Sequence, residues 1–241
     1  MPSRINILIP MAGLGSRFQE IGYKLPKPLI DIHGTPMVQR AIESLGIEGQ
    51  YIFLIYNYPD AQVRLQLENK LKEIKPNCQI ILVKERTEGA SCTALLAKEH
   101  INNDSPLIIT NCDQIMHWNE QDFTNHINNH SNLDGIVVTY RAETNKNSYI
   151  KLNEEGFALE VAEKKVIGPD SLNGIHYWKH GYDFVSSAEE MISANERVNN
   201  EFYIAPTYNY LIKKGKKIGV YRIENNEHWA VGTPEDLTTY L

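Results

Sequence analysis

Short apolar runs alternate with helical patterns through the first part of the chain. Residues 5–9 form a short β-rich run, and residues 10–27 that follow are polar and glycine-rich. Residues 36–45 predict a helix opened by a proline, whose missing N–H costs little in a first turn. Residues 51–56 are apolar without interruption, as expected of a parallel strand buried on both faces. Asp60 then caps a helix that places Val63, Leu67, Leu71 and Ile74 on one face, at spacings of four, four and three. Strands are predicted at 79–83, 107–110 and 135–140, with helices at 91–100 and 119–129 between them. This rhythm predicts an α/β fold around a mainly parallel, right-handed sheet.

The rhythm changes near residue 145. Residues 149–152 and 157–162 flank Asn153-Glu154-Glu155-Gly156 and predict a hairpin with glycine at its turn. Helices are predicted near 181–194 and 203–214, a last strand at 217–223, and a short terminal helix opened by Pro234. The chain holds no repeat, low-complexity tract or linker. It reads as one domain, with a first half over residues 1–145 and a β-rich elaboration over 146–241.

Composition narrows the classes. The chain has 241 residues, 42% hydrophobic and 22% charged, and at that length about 70% of the unfolded surface is buried on folding. The longest apolar run, residues 51–56, is far short of the ~20 residues of a membrane span. The N-terminus lacks a secretory pattern. Lys and Arg number 24 against 30 Asp and Glu, a net charge of -6, and the charges are mixed along the chain. Neither a nucleic-acid-binding face nor a membrane partner is indicated. Cys78, Cys92 and Cys112 have no Cys-x-x-Cys spacing and read as small buried thiols of a reducing compartment, hence a cytoplasmic protein. His33, His117, His126, His130 and His180 show no metal-ligand spacing. Ser16 lacks a His/Asp partner pattern, which argues against acyl transfer.

Candidate chemistry concentrates after the first strand, in Met11-Ala12-Gly13-Leu14-Gly15-Ser16-Arg17. A strand feeding a Gly-x-Gly loop can aim backbone N–H groups at anionic oxygen, and glycine lets the backbone approach closely. Arg17 adds a permanently protonated fork suited to phosphate. The loop is not a P-loop, because no Gly-Lys-Ser/Thr follows, and the third glycine of a dinucleotide fingerprint is missing. In Leu25-Pro26-Lys27-Pro28-Leu29 two prolines hold the backbone extended and fix where the Lys27 amine points. Further on, Asp113 ends a buried apolar strand, and strand carboxyl ends line the ligand crevice of open α/β sheets. A carboxylate there can hold Mg²⁺ together with substrate phosphates and water.

Together, AGLGSRF and LPKPL resemble the opening pattern of the nucleotidyltransferases that join a nucleoside triphosphate to a sugar 1-phosphate or similar phosphorylated acceptor. The resemblance implies a Rossmann-like, mixed, mainly parallel sheet flanked by helices, Mg²⁺ as cofactor, and pyrophosphate release in the synthesis of surface polysaccharide precursors. It implies a nucleotide site formed by Met11, Ala12, Gly13, Leu14, Gly15, Ser16, Arg17 and Lys27, with Gly89 of Thr87-Glu88-Gly89-Ala90 against the base. Arg17, Lys27 and Asp113 become the expected catalytic residues, with Asp113 the metal ligand. Val161-Ala162-Glu163-Lys164-Lys165 is similar to a Glu-Lys-Pro segment that faces the acceptor and its phosphate, although Lys165 replaces the proline. Asn173, Gly174 and Glu201 match further acceptor-side positions.

The closing segment Trp229-Ala230-Val231-Gly232-Thr233-Pro234-Glu235-Asp236 departs from the pattern. The place of a second metal-binding Asp is taken by Ala230, which cannot bind an ion. Three alternatives stay open: the metal relies on Asp113, phosphates and water; a neighbour such as Glu227 substitutes; or catalysis is impaired. The last makes a nucleotide-binding regulatory module the rival reading. A nucleotide-sugar-dependent glycosyltransferase is a weaker third. The sequence names neither base nor acceptor and leaves homo-oligomerisation open. The chain ends soon after Gly-Thr-Pro, so the catalytic domain alone is expected.

Overall fold

The computed structural model describes residues 4–241. The first apolar run becomes β1 (Asn6–Met11), and the glycine-rich segment behind it contains a short helix, α1 (Ser16–Glu20), where only a loop was expected. A ribbon of β2 (Asp31–Ile32) and β3 (Thr35–Pro36) leads into α2 (Met37–Leu45), with Pro36 as the residue before the helix rather than its first. Then come β4 (Gln50–Tyr56), α3 (Ala61–Ile74) and β5 (Gln79–Val83). Asp60 caps α3 as expected, its carboxylate accepting from the amides of Gln62 at 2.8 Å and Val63 at 3.3 Å.

The single helix expected over 91–100 is two, α4 (Ala90–Leu95) and α5 (Lys98–Ile101). Ser91 lies inside α4, and its hydroxyl donates to the Tyr203 carbonyl at 2.8 Å. Next are β6 (Leu107–Ile109), β7 (Gln114–Met116), α6 (Glu120–Asn129) and β8 (Gly135–Arg141). The expected hairpin is β9 (Ser148–Leu152) and β10 (Ala158–Glu163). Behind it stands β11 (Asp170–Trp178), a nine-residue strand with no counterpart in the sequence-based expectation. The chain closes with α7 (Gly181–Ser193), α8 (Tyr208–Lys213), β12 (Ile218–Arg222), β13 (His228–Ala230) and α9 (Pro234–Tyr240).

Strands β5, β4, β1 and β6 are parallel neighbours. The sheet continues through β11, antiparallel to β6 and β8, and ends on β12, parallel to β8. The β9–β10 hairpin joins where Asp170 and Ser171 pair with β9, so this nine-stranded sheet forks at β11. Alternation along the strands builds two apolar layers. Ile7, Phe53, Ile55, Ile108 and Ile136 face a core shared with Val38, Leu67, Leu71 and Phe123 of α2, α3 and α6. Leu8, Leu54, Ile109 and Val137 face another shared with Ala94, Ile101, Phe184 and Leu211 of α4, α5, α7 and α8. The architecture is a mixed, mainly parallel Rossmann-like sheet between helical layers, with a smaller β-rich region. Among the described residues, no helix is long and apolar enough to cross a membrane.

Candidate active site

The carboxyl ends of β1 and β6 open into a cleft of about 420 Å³, with a recess of about 180 Å³ beside it. Met11, Gly13, Lys27, Asn111, Cys112 and Asp113 line the recess. The loop from Ala12 to Ser16 turns over Lys27. Gly15 adopts φ 67°, and a Cβ on it would stand 2.9 Å from the Lys27 Cβ, so glycine is required for that approach. Arg17, from the first turn of α1, lines the cleft. Lys27 Nζ lies 2.6 Å from Asp113 Oδ2, and both side chains are largely buried. Burial is the largest single influence and opposes the Lys27 charge, but attraction to and hydrogen bonding with Asp113, together with Cys112, hold the ammonium above its ordinary value.

Asp113 is positioned by the ribbon of β7 and β13. Its carbonyl accepts from the Val231 amide at 2.9 Å, and Ala230 pairs with Gln114. Ala230 therefore lines the cleft near Asp113, and so does His228, two residues earlier on β13. Glu227, the alternative ligand, is committed elsewhere: its carboxylate accepts from the Glu224 amide at 2.7 Å and caps a turn. Glu163 and Asp236 also line the cleft. Among the described residues no three His, Cys, Asp or Glu side chains converge on a metal position. The donor set at Asp113 thus fits a Mg²⁺ ion held by one carboxylate, phosphate oxygens and water, and not a cage made by the protein alone.

The far wall comes from the second half. Glu163 ends β10 and is hydrogen-bonded with the Ser148 hydroxyl; burial pushes its carboxyl up. Asn173 and Gly174 form a bulge in β11, between Leu172 and His176 in the register. Gly174 has φ 99°, and a Cβ there would overlap the Asn111 amide. Asn173 Oδ1 accepts from the Ile175 amide at 3.0 Å and holds the bulge in shape.

Seven expected site residues line neither the cleft nor its recess: Ala12, Leu14, Gly15 and Ser16 in the loop over Lys27, and Gly89, Lys164 and Glu201. Gly89 (φ 139°) packs on the Phe202 backbone, leaving Ala90 to face the cleft. Lys164 donates to the Tyr203 hydroxyl at 2.6 Å, and that contact is the main reason its ammonium is held up. Glu201 meets Arg86 at 3.5 Å on the surface.

Sequence reasoning missed Lys146, His176 and His228 in the lining. Lys146 lies in a polar turn without motif spacing. His176 is 6% exposed, its ring lies near those of Trp178 and Tyr208, and its Nδ1 has no hydrogen-bond partner. Burial pushes its pKa down to about 3. His228 is pushed down to about 4 by burial, against the pull of Asp113, and its ring lies 4.9 Å from that of Tyr140.

A carboxylate between β6 and β7, two cations and a glycine-rich turn thus meet at the carboxyl ends of the parallel strands of an α/β sheet, the place where such sheets hold ligands. A model of the nucleotidyl transferase family matches residues 7–240, and the chain belongs to that family. The bifunctional protein GlmU of Methanococcus aeolicus is 24% identical over 236 residues, 97% of this chain and 53% of that protein. A mannose-1-phosphate guanyltransferase of Emericella nidulans is 32% identical over 146 residues, 59% of this chain and 39% of that protein. The chain spans about half the length of the curated relatives it matches first. The crystal structure of a nucleoside-diphosphate-sugar pyrophosphorylase from Vibrio cholerae superposes with TM-score 0.83 at 25% identity, over 98% of this chain and 99% of that one.

Proposed function

We propose that this protein is a Mg²⁺-dependent nucleotidyltransferase that joins a nucleoside triphosphate to a sugar 1-phosphate or similar phosphorylated acceptor and releases pyrophosphate. The observation that carries this reading is the shared cleft: Arg17 and Asp113 from the first half face Glu163, Asn173 and Gly174 from the second. Family membership and the likeness to a nucleoside-diphosphate-sugar pyrophosphorylase point the same way.

An acceptor phosphate oxygen attacks the α-phosphorus of the nucleotide in line, and pyrophosphate leaves. The protein's part is positioning and neutralisation of charge rather than covalent chemistry. Arg17, Lys27 and the amides of Leu14 and Gly15 hold the leaving phosphates. Asp113 is the residue that would hold Mg²⁺, which supplies charge neutralisation at the phosphates when bound. Glu163, Asn173 and Gly174 orient the acceptor body. Lys164, freed from Tyr203, reaches its phosphate. Gly89 keeps the loop before α4 close enough for Ala90 to meet the base, and Glu201 flanks the acceptor entrance. Product of this class feeds surface polysaccharide synthesis in a cytoplasmic setting.

The test is pyrophosphate release with CTP, UTP, GTP, dTTP and ATP against a panel of phosphorylated acceptors. Turnover should appear with one pair, and Arg17→Ala should lower it about 100-fold or more. Release of a nucleoside diphosphate instead would identify a glycosyltransferase. Ala230 favours one other reading, a nucleotide-binding regulatory module, for which nucleotide binds in the presence of Mg²⁺ without turnover.

A further inference from the structure

The transfer chemistry leaves the His176 imidazole without a task. His176 stands on β11 just beyond the Asn173-Gly174 bulge, paired with Ile109 of β6 and Val137 of β8. It lines the cleft, yet only 6% of it is exposed. Its ring lies 6.0 Å from that of Trp178 and 5.9 Å from that of Tyr208, and those two rings stack on each other at 4.6 Å. The Tyr208 hydroxyl donates to the Tyr177 carbonyl at 3.0 Å and anchors the stack. The imidazole is therefore held in place from behind.

A neutral imidazole carries one N–H, whose position follows from what each nitrogen can reach. Nδ1 is sealed from solvent and has no partner among the described residues. A proton there would be a buried donor with nothing to donate to, a penalty that placing it on Nε2 avoids. The N–H thus belongs on Nε2, the nitrogen left to meet what enters the cleft. Ile109, Leu172, Ile204 and Ala205 line the cleft with His176 and are themselves buried. Burial lowers the basicity of the ring, and no charged side chain offsets it. A ligand anion placed here would lose water without gaining a counter-ion, whereas a hydroxyl would gain a partner.

We infer that His176 is a specificity-determining residue whose Nε2–H donates to a hydroxyl oxygen of the acceptor body. The inference rests on the nucleotidyltransferase reading of the cleft and adds a requirement for a hydroxylated acceptor at this position. Such a site rejects an analogue that lacks the hydroxyl more firmly than an apolar pocket could, because the donor is then left dry.

The test uses pyrophosphate release with glucose 1-phosphate, mannose 1-phosphate, galactose 1-phosphate and phosphocholine, each with CTP, UTP, GTP, dTTP and ATP. The accepted sugar phosphate is then compared with its monodeoxy analogues in the wild type and in His176→Leu. In the wild type, removal of one particular hydroxyl should lower kcat/KM about tenfold or more. In His176→Leu that penalty should fall toward unity, while penalties at the other hydroxyls and the KM for nucleotide stay within about twofold of wild type. A purely structural role would alter all of these together. A second measurement uses only the wild type: nuclear magnetic resonance of ¹⁵N-labelled histidine. It should show His176 with its proton on Nε2 in the free protein, and a shift of that signal when acceptor is added.

Equal deoxygenation penalties in the wild type and His176→Leu overturn the inference while leaving the transferase reading intact. So do a proton on Nδ1, a His176 signal that acceptor does not shift, or turnover with phosphocholine alone. Absence of turnover with every pair overturns the transferase reading, and this inference with it.

Discussion

Burial of the His176 imidazole holds its pKa at about 3, against an ordinary value near 6.5. The unfolded chain therefore takes up a proton on this residue at higher pH than the folded one. The sign follows: this contribution to stability is complete above about pH 6.5 and is lost as pH falls toward 3. Between pH 7 and pH 5, His176 alone should cost about 2 kcal/mol of folding stability. His176→Leu should remove that part of the slope, and loss of the unpartnered Nδ1 should leave the variant at least as stable at pH 7. Urea unfolding at the two pH values checks this; an unchanged pH dependence in His176→Leu would refute it. His176 was invisible to motif reading because its setting is made by Trp178 and by Tyr208, 32 positions away on α8. Arg17, Lys27 and Asp113 were legible because each sits in a short local string whose backbone chemistry is written in glycine, proline or a strand end. Their 2.6 Å pairing of Lys27 with Asp113 was not, since it joins residues 86 positions apart.

At the scale of elements, strands β1, β4, β5, β6 and β8 were all anticipated from their apolar content, which burial on both faces explains for β4 and β6, while β5 at the sheet edge is only partly buried. Strand β11 escaped for the opposite reason. Its centre is Asn173-Gly174, which reads as a turn, and its buried Asp170 and Ser171 are paired with Arg222 and Asn147, partners distant in sequence. The bulge is where that strand bends toward the cleft, and it depends on Gly174. Alanine there would force a Cβ into the Asn111 amide at φ 99°, so Gly174→Ala should destabilise by about 2–3 kcal/mol. Thermal or urea unfolding checks the value, and an unperturbed midpoint would mean the bulge is more plastic than its geometry indicates. The strand's first residue is tied as firmly. Asp170 is buried and accepts from Arg222 Nε at 2.9 Å and Nη2 at 3.1 Å, a bidentate pair that reaches across β8 to β12. Arg222→Met leaves this carboxylate without its partner and should cost about 2–3 kcal/mol. Adding Asp170→Asn should recover part of the loss, as a double-mutant cycle would show.

At the scale of the molecule, the division near residue 145 marks a change of sequence rhythm and of the cleft wall supplied. It does not mark two independent folding units. In the order β12-β8-β11-β6-β1-β4-β5, strand β8 belongs to the first half yet connects to β6 only through β11 of the second half. Ile175 and Tyr177 of β11 share a core with Ile7, Phe53, Phe123 and Ile136. Without β11, β6 and β8 would each present an open edge, and the apolar layer beneath them would be exposed. The intact chain should therefore unfold in one cooperative step, with coincident near-ultraviolet, far-ultraviolet and fluorescence transitions. A fragment of residues 1–145 should lack a cooperative thermal transition and bind a hydrophobic dye strongly. A fragment that melts cooperatively without dye binding would show that the first half closes its own sheet, and that β11 is an addition to a finished domain. Because the interlocking strand also carries Asn173, Gly174 and His176 into the cleft, folding and assembly of this cleft wall should be one event. Nucleotide binding by the intact chain should accordingly disappear over the same denaturant range as its global unfolding.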